Sequence, residues 1–468
     1  MSLLAEKYKK KSVNKIKFQK PIKQQTINVE PFDFDDNFDP ISDIQMKSSR
    51  QLRKEKSQAK YRKKISGKKP PKKKMAKDSD YNYNINKSTE FKIINGKKNE
   101  SKIKAMFSLL ISVIIILSLV AMNYLSPTGI VETIQNSYAL MGDGILPRTL
   151  EGNNFYNMVS ENGNINIISD TYYESYNSSG KQLVVSQHGF ANPEIEVSAA
   201  RTLVFDRGGT GAKIYNYTGL IFNKNLDNTI YSADIARNGT CAFVTSSRGY
   251  AAQVDVVDKN FNSVFTWYSS DNLLSDVAIS ENGKRIAVCE LFAKDGSYMS
   301  RVSVFNYNDA VAEFSFEFQN VAITSLQSFG NDSFLAISDG AISLINWDKA
   351  VKNDIDFDGS VKAFNSHNDE KFAFVHGRIN NSISNDISIF DDSGKIINNF
   401  SVNAVIKDIA LCDDVIYCLT ENTILCFTLD GKLANTIDCG YNALLVSDIG
   451  NNMVATISQS ELTTYNYN

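Results

Sequence analysis

VAISENGKRIAV (277–288) decides the fold. Apolar and polar residues alternate into Asn282-Gly283 and alternate again beyond it, which is the pattern of two half-buried strands joined by a tight turn. ADIARNGTCAFV (233–244) and NMVSENGNINII (157–168) repeat it. Weaker copies are VSAARTLVF (197–205), LQSFGNDSFLAI (326–337), FNSHNDEKFAFV (364–375), IALCDDVIYCL (409–419) and VSDIGNNMVATI (446–457). The central apolar residue of each first strand falls at Val159, Val197, Ile235, Ile279, Leu326, Phe364, Ile409 and Val446. Successive intervals are 38, 38, 44, 47, 38, 45 and 37 residues.

Eight units of about forty residues match the size of a four-stranded propeller blade. Each unit continues into a third strand, a turn and a fourth, as in ISIFDDSGKIINNF (387–400) and ILCFTLDGKLANTI (424–437), with Ser-Gly or Asp-Gly supplying positive φ. The last unit ends at TTYNYN, its third strand, while GDGILPRTLEG (142–152) precedes the first unit and resembles the missing strand. Pairing the two would close the ring and remove two exposed sheet edges. The expectation is an all-β, eight-bladed propeller over 145–468, with seven blades if the Tyr- and Ser-rich first unit is irregular. Intervals near forty are too long for solenoid coils, and paired sandwiches would not repeat eight times.

AMFSLLISVIIILSLVAMNYL (105–125) carries no charge across 21 positions, enough helix to cross a bilayer. This run divides the charge. Residues 1–104 hold 29 Lys+Arg against 12 Asp+Glu, and residues 126–468 hold 21 against 40, so the net values are +17 and −19. With Lys97, Lys98, Lys102 and Lys104 at one end and no basic residue before Arg148 at the other, the expected topology is single-pass, N-terminus cytoplasmic and C-terminus outside the cell membrane. Residues 126–144 read as a linker with one or two helical turns at 130–141.

Residues 1–104 mix Lys blocks with Asn, Gln and Ser and lack apolar periodicity, the composition of a disordered basic tail. Its partners would be anionic inner-leaflet lipid or a cytoplasmic protein, with nucleic acid as the rival. EPFDFDDNFDP (30–40) sets Phe32, Phe34 and Phe38 among four aspartates and reads as a docking peptide, either for a partner groove or for the tail's own lysines.

The strand, turn and aromatic third strand of 277–307 resemble the WD40-like and quinoprotein-like propellers. Residues 105–468 resemble an uncharacterised family of Firmicute single-pass membrane proteins with an outer propeller of unknown function. The resemblance implies a fold and a topology rather than an activity. No Trp-Asp dipeptide recurs from unit to unit, Trp347-Asp348 being a single instance, and with only Trp267 and Trp347 the Trp-docking pattern of quinone-dependent propellers is absent.

No catalytic motif emerges. The three histidines have no ligand spacing, and DRGGTGAK (206–213) lacks the end of a phosphate loop and reads as a glycine-rich hairpin. Six cysteines match no metal knuckle; four lie within 28 residues, so a disulfide and buried free thiols both remain open, the thiols preferred. Connections from second to third strands all open on one face of a propeller, and there Asp170, Asp206, Arg207, Arg248, Glu290, Asp339, His376, Arg378 and Glu421 would ring one mouth. Such a ring suits a protein, glycan or anionic envelope polymer; a Ca²⁺ site in the channel is a further option, and no cofactor is expected. The expected function is a non-catalytic, membrane-anchored binding or scaffold module in the cell envelope. The alternative is an envelope glycan hydrolase or lyase using carboxylates at the mouth.

Overall fold

The computed structural model describes residues 97–467, except 126–127, 200, 308, 310, 331, 368–369 and 379–382. Its organisation follows from the strands with both faces covered. Cys241–Thr245, Ser333–Ile337 and Val415–Leu419 are buried at every position. Side chains alternate along a strand, so a fully buried strand must serve two different cores. Cys241 and Phe243 pack toward the preceding sheet with Leu203 and Ile214, while Ala242 and Val244 pack toward the following sheet with Val277 and Ile286.

Eight four-stranded antiparallel sheets carry out this scheme. Their first strands are Phe155–Glu161, Pro193–Ser198, Ile230–Ile235, Leu273–Ile279, Ser325–Phe329, Ser360–His367, Asp408–Leu411 and Ala443–Asp448. They define blades 1 to 8 of an eight-bladed β-propeller. Eight apolar clusters among the described residues occupy the seams between successive blades. Fourth strands lie outermost and alternate toward solvent, as in Leu433–Asp438.

The ring closes through the chain's two ends. Blade 8 takes its outermost strand, Arg148–Thr149, from ahead of blade 1, with Arg148 opposite Leu462 and Thr149 opposite Glu461. Leu150 then enters the seam between blades 8 and 1 with Ile165, Ile167, Ile457 and Leu462. The buried Glu174 carboxylate holds the turn after it, accepting from the Glu151 and Gly152 N–H groups at 3.0 and 3.2 Å and from the Tyr176 hydroxyl at 2.6 Å.

Turn chemistry follows the sequence. At Asn162-Gly163 both residues have positive φ, 52° and 74°, the mirror-image turn whose twist matches a two-residue hairpin. DRGGTGAK forms the hairpin between the second and third strands of blade 2. All six cysteines are free and buried.

Helix α1, Lys97–Leu125, contains the long apolar run. Its apolar side chains from Met106 to Leu117 are 43% to 72% exposed. Among the described residues no helix is long and apolar enough to cross a membrane. Helix α2, Ile130–Leu140, is about three turns, longer than the sequence suggested, because the propeller holds it at both ends. Near its N-terminus Glu132 takes a two-pronged ion pair from Arg201, Nε to Oε1 at 2.9 Å and the second terminal nitrogen to Oε2 at 2.7 Å. Beyond its C-terminus Lys181 Nζ donates to the Ala139 carbonyl at 2.6 Å and to that of Met141, and Asn177 Nδ2 donates to Leu140 and Gly142 at 3.1 and 3.0 Å. A cation over the last carbonyls is favoured by the helix dipole.

Two stability outcomes follow. Arg201 is 6% exposed, and Glu132→Gln strands its charge, so chemical denaturation of residues 126–468 should reveal a loss of about 3 kcal/mol. Ile167→Ala removes a wholly buried side chain from the closing seam and should cost about 3 to 4 kcal/mol by the same measurement.

Candidate functional site: the central channel and the rim above it

The first strands surround a channel of about 1260 Å³. Its lining carries nine carboxylates, among them Glu161, Glu196, Asp234, Asp276 and Asp408, against a single Arg237. Arg237 is itself engaged by Glu281 at 2.7 Å. Low-dielectric walls bearing one sign of charge focus the field, so the lumen attracts cations and resists anions.

Several of these acids have defined structural work. Asp276 stands at an irregularity in strand pairing, and Asn365 lies two residues beyond another. Asp234 Oδ2 accepts the Ile279 N–H at 2.7 Å, Asp276 Oδ2 the Leu326 N–H at 2.6 Å, Asn365 Oδ1 the Leu411 N–H at 2.9 Å, and Asp408 Oδ2 the Val446 N–H at 3.0 Å. Each bond runs from one blade's first strand to the next blade's first strand. Four seams are thus latched beside the channel, and the donors are strand-edge groups that would otherwise lack partners.

Burial makes the charged form of these latches costly. It raises Asp234 to about 7, and raises Asp276 and Asp408 to about 6, despite the N–H bonds that pull the other way. Glu196 is raised well above the ordinary carboxylate range by burial and then by the charges of Asp234 and Asp276. Among the described residues no group of three or more His, Cys, Asp or Glu is placed to hold a metal ion.

The rim made by second-to-third-strand and blade-to-blade connections is the upper face. The lower face carries the first-to-second and third-to-fourth turns. Seven of the nine residues expected on the upper rim lie in those connections or at strand ends beside them. Arg248, Asp339 and Arg378 are exposed. Glu421 is exposed and pairs with Lys407 at 2.8 Å, and Arg207 pairs with Glu194 at 2.9 Å. Asp206 is committed to the fold, accepting the Ala191 and Asn192 N–H groups at 3.1 and 2.9 Å. Asp170 accepts from Asn154 Nδ2 at 2.9 Å, which holds its carboxyl below the usual range. The ring spreads most of these side chains over different blades, Asp206 with Arg207 and His376 with Arg378 being the pairs that share one. Asp170 and Asp206 both act on His188, whose pKa burial lowers.

Two placements correct the sequence reading. Glu290 is inside the second strand of blade 4, 5% exposed, bonded by Asn272 at 2.9 Å and facing Arg301 at 3.5 Å. The strands there, Arg285–Lys294 and Ser297–Asn306, are ten residues each, so the turn comes later, at Asp295-Gly296. His376 is also within a strand and 3% exposed, its Nδ1 at 2.9 Å from the Asp358 carbonyl and its Nε2 at 2.9 Å from Ser388 Oγ. It is a satisfied core histidine. Phe32, Phe34 and Phe38 lie outside the described residues.

The channel acids were missed, although a signal existed: Glu196, Asp234 and Asp408 each immediately precede the apolar anchor of their unit. A second feature reached only through the structure is an aromatic patch on the upper rim of blade 3. Tyr250 and Tyr268 stack with ring centres 4.7 Å apart and are 49% and 45% exposed, with Arg248 in the same connection as Tyr250.

The site thus belongs to an eight-bladed propeller with an acidic channel and a mixed polar and aromatic rim. Residues 146–466 match a family of unknown function, DUF5711, and the chain belongs to that family. No curated protein matches. Among solved structures the chain is similar to Sqt1 of Saccharomyces cerevisiae, at 10% identity and a TM-score of 0.50, over 70% of this chain and 99% of that one. It is also similar to BamB of Moraxella catarrhalis, at 10% identity and a TM-score of 0.47, over 69% and 96% of the two chains. At these identities the likeness concerns the fold.

The raised acids set a pH dependence. A carboxyl raised from about 4 when unfolded to 6 or 7 when folded binds more protons in the native state, so its contribution is full below about 4 and is lost as pH rises through 6 to 7. Stability of residues 126–468 should therefore fall between pH 5 and 7.5. Blade 6 already uses an amide, Asn365, in the same latch. Asp234→Asn should accordingly keep the fold and flatten that fall, read as thermal midpoint against pH; an unchanged slope would refute the assignment.

Proposed function

We propose that this protein is a membrane-anchored propeller of the cell envelope that binds a protein partner on its upper face and does no chemistry itself. Helix α1 would span the membrane, with the basic N-terminal segment in the cytoplasm against anionic lipid or a cytoplasmic protein. The anchor reading is carried by one observation: the apolar side chains from Met106 to Leu117 are open to solvent rather than packed on the propeller, a state that water penalises and a bilayer rewards. The charge division between residues 1–104 and 126–468, +17 against −19, supports the orientation.

Binding on the upper face is supported by the stacked Tyr250 and Tyr268 beside Arg248. Tyr and Arg are the side chains that most often dominate protein interfaces, because they offer large contact area at small entropic cost. The acidic lining of the channel lies among the lower-face turns, at Glu161, Glu281, Asp413 and Asp414, so its charge bears on the lower mouth rather than on this rim. The latching role of Asp234, Asp276 and Asp408 accounts for three of the nine channel carboxylates without a reaction.

Protease added to intact cells should degrade residues 126–468 and spare the N-terminal segment; an untouched C-terminal portion would overturn the topology. For a partner isolated on the soluble 126–468 fragment, Tyr250→Ala should weaken binding about tenfold, as truncating an interface hot spot does. Arg248→Glu with Arg378→Glu should weaken it further. Unchanged affinity in both variants would remove the upper face as the site.

A further inference from the structure

Helix α2 is amphipathic in the inverted sense. Glu132, Thr133, Asn136, Ala139 and Leu140 face the propeller, and Asn136 is 5% exposed. The opposite face carries an apolar stripe, flanked by the exposed Gln135 and Ser137: Val131 is 69% exposed, Ile134 55% and Tyr138 77%, with Met141 at 65% and Ile145 at 79% continuing the line. Their spacing of three and four residues puts the first four on one stripe. The outward side of the helix carries no charge, since its sole ionised group, Glu132, is taken by Arg201.

The helix also lies flat across the lower face. Glu132 is held by Arg201 of blade 2, which donates in addition to the Lys259 carbonyl of blade 3 at 2.7 Å, and the C-terminal end is held by Asn177 and Lys181 of blade 1. Only Ser126 to Gly129 separate helix α2 from helix α1. Four residues reach about 14 Å at most, so the start of the stripe stays close to the end of the apolar run.

We propose that this stripe rests in the interfacial layer of the bilayer, as an amphipathic surface helix does. The propeller is then held lower face toward the membrane, and the Arg248 and Tyr250 rim points away from it. The inference rests on helix α1 being a membrane anchor. It adds an orientation that anchoring alone, through a free tether, would not impose. A lipid surface is the occupant because the stripe is continuous in sequence and in reach with the anchor and has no charge to exclude it.

The test uses the full chain reconstituted in phosphatidylcholine vesicles. The native thiols are all buried, so Ile134→Cys and Ala293→Cys can each be labelled with an environment-sensitive fluorophore, Ala293 lying near the tip of the long blade 4 hairpin on the upper face. Flotation of the protein with the vesicles reports the anchor independently. The expected result is flotation of both variants, with the Ile134 probe blue-shifted and quenched severalfold more by lipid-borne quencher than the Ala293 probe. Flotation with equal, weak quenching at both sites would overturn the orientation and leave the anchor standing. Failure to float would instead sink the anchor. Disulfide-linked dimers of unlabelled Ile134→Cys would assign the stripe to a second copy of the chain and overturn the proposal.

Discussion

Everything in this molecule depends on the seam between adjacent sheets. A sheet in the middle of a propeller has two apolar faces and buries neither alone, so every blade relies on the blade before it and the blade after it. The circle must therefore close, and an open arc would leave two apolar faces in water. Closure is arranged by chain order: Arg148–Thr149 joins blade 8 before the chain begins blade 1, and Leu150 is carried straight into the last seam. The two ends of a run of more than three hundred residues are thus tied by one short pairing and one buried cluster.

The channel is the by-product of that closure, and its walls are strand edges. Backbone N–H groups at such an edge need partners, and carboxylates set one residue ahead of an apolar anchor supply some of them. The arrangement concentrates negative charge in a narrow space, and the protein accommodates it by raising the pKa of the acids concerned. A stability that declines toward neutral pH is the cost of latching seams with aspartate, and blade 6, with Asn365, avoids it. The lower-face helix is a separate device. It uses polar side chains to grip the propeller and leaves apolar ones outside, the reverse of an ordinary surface helix.

Much of the fold was legible because it is local. A blade hairpin is specified by alternation and by Asn-Gly or Asp-Gly steps within a dozen residues, and all eight chosen anchors lie in first strands of the propeller. The rim was less legible. Glu290 lies inside a strand rather than in a connection because the strands of its hairpin are ten residues long, and Asp295-Gly296 five residues later marks the turn. His376 is likewise inside its strand, which runs one residue past it. Alternation gives the face a residue occupies and says little about where a strand stops.

The sequence by itself determined the repeat of about forty residues, its hairpins, the apolar run and the opposite charges on either side of it, since each of these is written in neighbouring residues, whereas the choice of eight blades over seven came from the structure. Only the tertiary structure decided that Asp234 would meet the N–H of Ile279, that Glu132 would meet Arg201, and that the outward face of a short linker helix would be the apolar one. Those pairings join groups 45 and 69 residues apart. Their geometry exists only once the ring has placed one blade beside the next.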